Sequence, residues 1–126
     1  MPGATLRLKS PQPRAFLSAC IARPPPPEVK ARALACTIRV PPEVRRAHLT
    51  RPPDDGAVLG QIPCPVLVTH GSEDQLVLPG LAHVTVAAIP GATLSLYEGI
   101  GRTPFVEKPQ RFNRELAAFT LRCQQR

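Results

Sequence analysis

The second half of the chain changes hydrophobic period several times, and each change predicts an element. The run Ile62–His70, IPCPVLVTH, is compact and apolar, bounded by prolines and by Gly71. Its length suits a strand covered on both faces, as a parallel sheet requires. Pro79–Ile89 reads as a helix that opens on a proline and is stopped by Pro90–Gly91. The β-branched Val84, Thr85 and Val86 count against that helix. Ala92–Glu98 alternates, with Leu94 and Leu96 on one face and Thr93, Ser95 and Tyr97 on the other, the period-two pattern of a strand. Gly99–Gly101 is a flexible turn. Pro109–Cys123 is the clearest helix, because Phe112, Leu116, Phe119 and Cys123 fall at helical spacing. The order is strand, loop, helix, strand, loop, helix. That is a βαβα unit, with functional groups expected in the loops His70–Leu78 and Gly99–Lys108, beyond the strand ends.

The first half is broken by proline. Residues 1–13 read as a loose tail. Arg14–Ala22 predicts a short helix with Phe16, Leu17, Cys20 and Ile21 on one face. Pro24–Pro27 favours an extended, stiff connector. Glu28–Val40 reads as helix with a carboxylate in its first turn. Pro41–Pro42 closes it and opens a further short helix, Glu43–Leu49. RPPDDG, residues 51–56, is a loop by composition. The chain thus divides into a proline-rich region with short helices, residues 1–56, and an α/β segment, residues 57–126.

Composition sharpens this division. The 126 residues include 17 prolines, no Trp and only 4% aromatics, which limits the core. Residues 1–52 hold ten Lys/Arg against two Glu, and residues 53–126 hold six Lys/Arg against seven Asp/Glu. The basic half contains a single aromatic, Phe16, so base stacking is poorly supplied; the composition argues against nucleic acid and for a solvated basic face. Cys20, Cys36, Cys64 and Cys123 form no C-x-x-C pair and have no His at metal spacing. They are expected to be free thiols, with neither metal nor cofactor, and two of them lie in apolar helical patterns where a free Cys packs as a small hydrophobe. No apolar run reaches membrane-span length, and MPGATLRLKS has no following apolar stretch. The expected location is therefore cytoplasmic, without a membrane partner.

The stretches IPCPVLVTHGSEDQLVLP and IPGATLSLYEGIGRTPFVEKPQRFNRELAAF resemble the C-terminal end of the α/β-hydrolase fold, over residues 61–120. The likeness rests on several features in order: a P-V-L-V strand, H-G-x-x-D, I-P-G-A, a second strand, G-x-G followed by the position where the family has His, then P-F-x-E and P-x-R-F-N. VPPEVRRAHLTRPPDD looks like the segment leading from the cap or lid back to the sheet, so residues 1–56 are expected to be a cap or lid remnant. The resemblance implies an α/β fold: a truncated α/β-hydrolase whose C-terminal βαβα parallel-sheet unit is preceded by short cap-like helices. It places the catalytic acid of a triad at Asp74 and the catalytic histidine at the position held here by Arg102.

An arginine at that position changes the chemistry. A general base must release and recover a proton near neutral pH. A guanidinium has a pKa above about 12 and no acceptor lone pair. Arg102 is expected either to stand as an exposed loop charge or to pair with Asp74 in a bidentate contact. The alternative is that Asp74 is only a turn former, but the resemblance favours the acid position. The nucleophile elbow G-x-S-x-G, which the family places upstream of the acid, does not occur: Ser10, Ser18, Ser72 and Ser95 all lack its flanking glycines. His70 is read as a strand-end packing or hydrogen-bonding residue, not a replacement base. His83 is expected on the surface, and His48 has no evident partner. Glu107 is read as the carboxylate at the start of the last helix.

These features predict a hydrolase-family chain of esterase-like or dehalogenase-like ancestry that is inactive alone. It would act on a small ester or halide only if the absent part of the site were supplied. The alternatives are a non-catalytic partner-binding module and half of a split hydrolase. Open sheet edges predict self-association or a partner chain.

Overall fold

The computed structural model describes residues 13–50 and 56–125. Residues 1–12, 51–55 and 126 lie outside that range, as do the expectations placed on them. The elements are α1 (Pro13–Cys20), α2 (Pro27–Ile38), α3 (Pro42–Thr50), a 3-10 turn (Ala57–Gln61), β1 (Leu67–Gly71), α4 (Pro79–Ala88), β2 (Thr93–Tyr97), α5 (Pro104–Glu107) and α6 (Pro109–Gln124).

Proline decides where most of these helices begin. Pro27, Pro42, Pro79, Pro104 and Pro109 each stand at the first helical position, where a missing N–H costs nothing and φ is preset. Pro26 is extended (φ −48°, ψ 144°), and its carbonyl accepts the amides of Val29 and Lys30 to open α2. At the other end of α2, Arg45 reaches back from α3. Its Nη1 donates to the carbonyls of Thr37 (3.3 Å) and Val40 (2.7 Å), which serves acceptors the helix leaves open.

β1 and β2 are parallel, with Leu67 beside Thr93, Thr69 beside Ser95 and Gly71 beside Tyr97. The first strand begins later than the apolar run does. Pro63 and Pro65 have no N–H to give a ladder, so pairing starts at Leu67, and only the Val66 carbonyl is drawn in, by the amide of Thr93. Side-by-side residues share a face. Leu67, Thr69, Ser95 and Tyr97 look toward α6, while Val68, His70, Leu94 and Leu96 look toward α4, which packs on both strands. The two faces are not fully covered as the apolar run predicts: residues 67–70 are only half-buried. The core gathers instead mostly beyond the C-terminal end of the sheet, where Cys20, Leu76, Tyr97 and Ile100 are buried; Ala82 and Ile89 of the α4 segment are buried as well.

α6 carries the expected apolar stripe, yet no residue of it is buried. It is held to β2 by a polar network. Glu115 accepts the hydroxyls of Ser95 (2.6 Å) and Tyr97 (2.7 Å) on one oxygen and Arg111 Nε (2.7 Å) on the other. The Arg111 guanidinium lies over the Tyr97 ring at 3.8 Å and donates to the Leu96 carbonyl. α5 lies within Gly99–Lys108, a segment the sequence predicts as loop. It is one turn long, too short to show a period, and it braces α6 through an edge-to-face contact of Phe105 with Phe112 at 5.9 Å.

Candidate active site

Three segments meet beyond the C-terminal ends of the strands: the end of α1, the loop after β1 and the loop after β2. They meet at backbone distance because two glycines allow it. A Cβ on Gly71 would lie 1.9 Å from the Gly101 carbonyl oxygen, and one on Gly101 would lie 2.7 Å from both the Cys20 oxygen and the Ala22 nitrogen. Hydrogen bonds then tie the loops. The Ser72 amide donates to the Tyr97 carbonyl, the Glu73 amide to that of Ile100, and the Gly99 amide to Ser72 Oγ (2.8 Å). Gly99 adopts φ +68°, the left-handed turn that a side chain would resist.

Asp74 is 5% exposed. Its Oδ1 accepts the amides of Leu76 (2.8 Å) and Val77 (3.0 Å), so it does form a local turn. Its Oδ2 is left facing two cations or potential cations: Arg102 Nη1 at 3.6 Å and His70 Nε2 at 3.7 Å. The Arg102 contact is single-ended rather than the bidentate pair considered from sequence, and the Arg102 side chain remains 41% exposed. The loops bring the guanidinium beside the carboxylate, but its stem runs over the surface, so only one nitrogen approaches. His70 comes closer to Asp74 than a strand-end role demands, while its Nε2 sits 2.9 Å from the Val77 carbonyl. That hydrogen bond supports the reading of His70 as a structural donor.

Two residues that sequence reasoning did not place belong here. Cys20 is buried beside this pair, and its carbonyl accepts the Arg102 amide at 2.7 Å. Burial pushes its thiol pKa up; the Arg102 charge opposes this and the Asp74 charge adds to it. A thiol held protonated is not an activated nucleophile. Glu107 does not cap α6, whose start has no side-chain cap. It bridges segments instead: Oε1 accepts the Gly101 amide (3.0 Å) and the Thr103 hydroxyl, and Oε2 accepts the amides of Ala22 (3.1 Å) and Arg23 (3.4 Å). No local sequence signal foretells a contact spanning 85 residues.

The described serines each take part in a structural hydrogen bond. Ser18 Oγ donates to the Arg14 carbonyl within α1, Ser72 Oγ accepts from Gly99, and Ser95 Oγ donates to Glu115. His48 and His83 are exposed. Among the four cysteines only Cys20 is buried; Cys36 and Cys64 are exposed and Cys123 is intermediate, so the packing expectation holds at one position. Among the described residues no group of three or more His, Cys, Asp or Glu could hold a metal ion, and no helix is long and apolar enough to cross a membrane.

A two-stranded parallel sheet with helices on both faces, and the Asp74 loop facing the Gly99–Gly101 loop, define the class. The chain has the α/β-hydrolase fold and corresponds to its C-terminal portion. It superposes on an esterase from Rhodococcus sp. ECU1013 (TM-score 0.71, 32% identity), covering 85% of this chain and 39% of that one. A thermophilic esterase from Thermogutta terrifontis matches over 78% of this chain and 37% of its own (TM-score 0.66, 26% identity). An esterase from Exiguobacterium antarcticum shares the fold over 85% and 41% respectively (TM-score 0.78, 21% identity). The chain therefore spans about two fifths of the length of these structures. No protein-family model and no curated protein matches it.

Proposed function

We propose that this chain is a hydrolase-derived portion of esterase-like ancestry that holds the acid loop of a triad but does not hydrolyse on its own. Asp74 is the residue in the acid's position, and Arg102 stands in the histidine's. The observation that carries this reading is the 3.6 Å approach of Arg102 Nη1 to Asp74 Oδ2. A permanently protonated group takes the place from which an imidazole would accept a proton, a role that contributes about 10²–10⁴-fold in working enzymes. The acid is then left with a structural task, since one oxygen shapes the loop and the other faces the guanidinium.

The test is hydrolysis of 4-nitrophenyl acetate by the purified 126-residue chain. The wild type, Asp74→Ala and Arg102→His are all expected to match the buffer rate. Restoring an imidazole at 102 should not help, because no described serine is poised to use it. A wild-type rate above buffer that disappears in Asp74→Ala would overturn the proposal. A second reading, a non-catalytic partner-binding module, is favoured by the half-covered strand β1 and its unpaired outer side.

A further inference from the structure

One carboxylate joins the end of α1 to the loop after β2. Glu107 Oε1 accepts the Gly101 amide (3.0 Å) and the Thr103 hydroxyl (3.3 Å), and its Oε2 accepts the amides of Ala22 (3.1 Å) and Arg23 (3.4 Å). Ala22 and Arg23 carry the last backbone donors before Pro24–Pro27, whose nitrogens have no hydrogen to give. A fifth bond closes the ring, from the Arg102 amide to the Cys20 carbonyl at 2.7 Å. The end of α1 is thereby seated on the Gly99–Thr103 loop. Cys20, which it carries into the contact, is 5% exposed and is the one buried residue of α1.

We propose that Glu107 is a latch that holds the end of α1 on this loop and shuts the Cys20 thiol away, and that the contact opens as a local unit while the β1–β2 sheet stays folded. The contact is made of polar bonds, so opening it exchanges protein partners for water and uncovers little apolar surface beyond Cys20. One carboxylate serves four donors, so those bonds are lost together. The sheet has its own holds: β1 pairs with β2 from Leu67 to Gly71, and α6 is tied to β2 through Glu115. None of these passes through the end of α1.

The latch needs a carboxylate. Both oxygens face donors, so an amide of the same shape must turn its NH2 group toward an N–H on one side or the other. The proposal does not rest on the catalytic reading, because of the Asp74–Arg102 pair it uses only the Arg102 backbone amide.

Thiol labelling of the full chain tests it, with each cysteine followed by peptide mass spectrometry. Cys36 and Cys64 are exposed and serve as internal references. In the wild type, N-ethylmaleimide should label Cys20 far more slowly than either. Glu107→Gln should speed Cys20 labelling at least about tenfold, because a donor stranded against a donor weakens a contact by that order. The rates at Cys36 and Cys64, and amide exchange along Leu67–Gly71 and Thr93–Tyr97, should not change. Wild-type labelling of Cys20 as fast as that of Cys36 would overturn the latch, as would an unchanged Cys20 rate in Glu107→Gln. So would strand exchange that accelerates in step with Cys20 in a variant that keeps its far-UV circular dichroism. A second measurement needs no variant and decides the matter if Glu107→Gln does not fold. In the wild type, below the unfolding transition, Cys20 labelling should rise less steeply with urea than exchange of the Thr93–Tyr97 amides, since a local opening exposes less surface. Equal slopes would mean that only global unfolding frees the thiol, and the proposal would fall. Neither measurement reads ester hydrolysis, so this proposal and the earlier one fail separately.

Discussion

Gly101 sits where the end of α1, the loop after β1 and the turn into α5 converge, and no side chain fits there. A methyl group would press on the Cys20 oxygen and the Ala22 nitrogen at 2.7 Å, both of them backbone atoms that cannot swing aside. Gly101→Ala should cost about 1–3 kcal/mol, the usual range for forcing extra volume into a packed site. Urea unfolding would measure it, and a midpoint equal to wild type would refute the packing argument. The residues of the candidate site differ in how legible they were. Asp74 and Arg102 stand out because G-x-x-D and G-x-G are local motifs. Cys20 and Glu107 do not, since their partners are about 80 residues away in the chain, and only folding brings the end of α1 onto the loop.

At the scale of elements, α6 shows how a periodic stripe can be read correctly and still be held by something else. Phe112, Leu116 and Phe119 announce the helix, but its grip on β2 comes from Glu115 and Arg111. Burial pushes the Glu115 carboxyl up in pKa, yet hydrogen bonds from Ser95, Arg111 and Tyr97 and the Arg111 charge outweigh it and hold it down at about 2, below its ordinary 4.5. Tyr97 is pushed the other way, first by burial and then by Glu115, so its phenol stays a donor. A carboxylate with a depressed folded pKa stabilises above its unfolded value, and that contribution is lost as pH falls through the folded one. The α6 contact should therefore weaken between about pH 4.5 and about pH 2. In Glu115→Gln that acid-dependent loss should be smaller. Thermal melts across this range would show it, and parallel pH profiles would contradict it.

The whole molecule is short of cover. Ile38, Val44, Leu81, Val84, Phe105, Leu116 and Leu121 remain substantially exposed, and two parallel strands alone make a marginal sheet. The span of about two fifths of the matched esterases is the same fact seen from outside, because a part of a larger sheet leaves uncovered what the larger sheet would cover.

The elements of this chain were written in short-range chemistry. Prolines at first helical positions, glycines at turns and the switch between periods of two and 3.6 act within a few residues, so sequence alone determined the order of the strands and of the α-helices longer than one turn, and the motif positions Asp74 and Arg102. What tertiary structure decided is everything that depends on distance through space. It set the single-ended 3.6 Å contact between those two residues, the Glu107 bridge to the end of α1, the drawing of α6 onto β2 and the open flank of β1. Those outcomes turn on which surfaces meet, and a linear pattern carries the character of a surface without its neighbour.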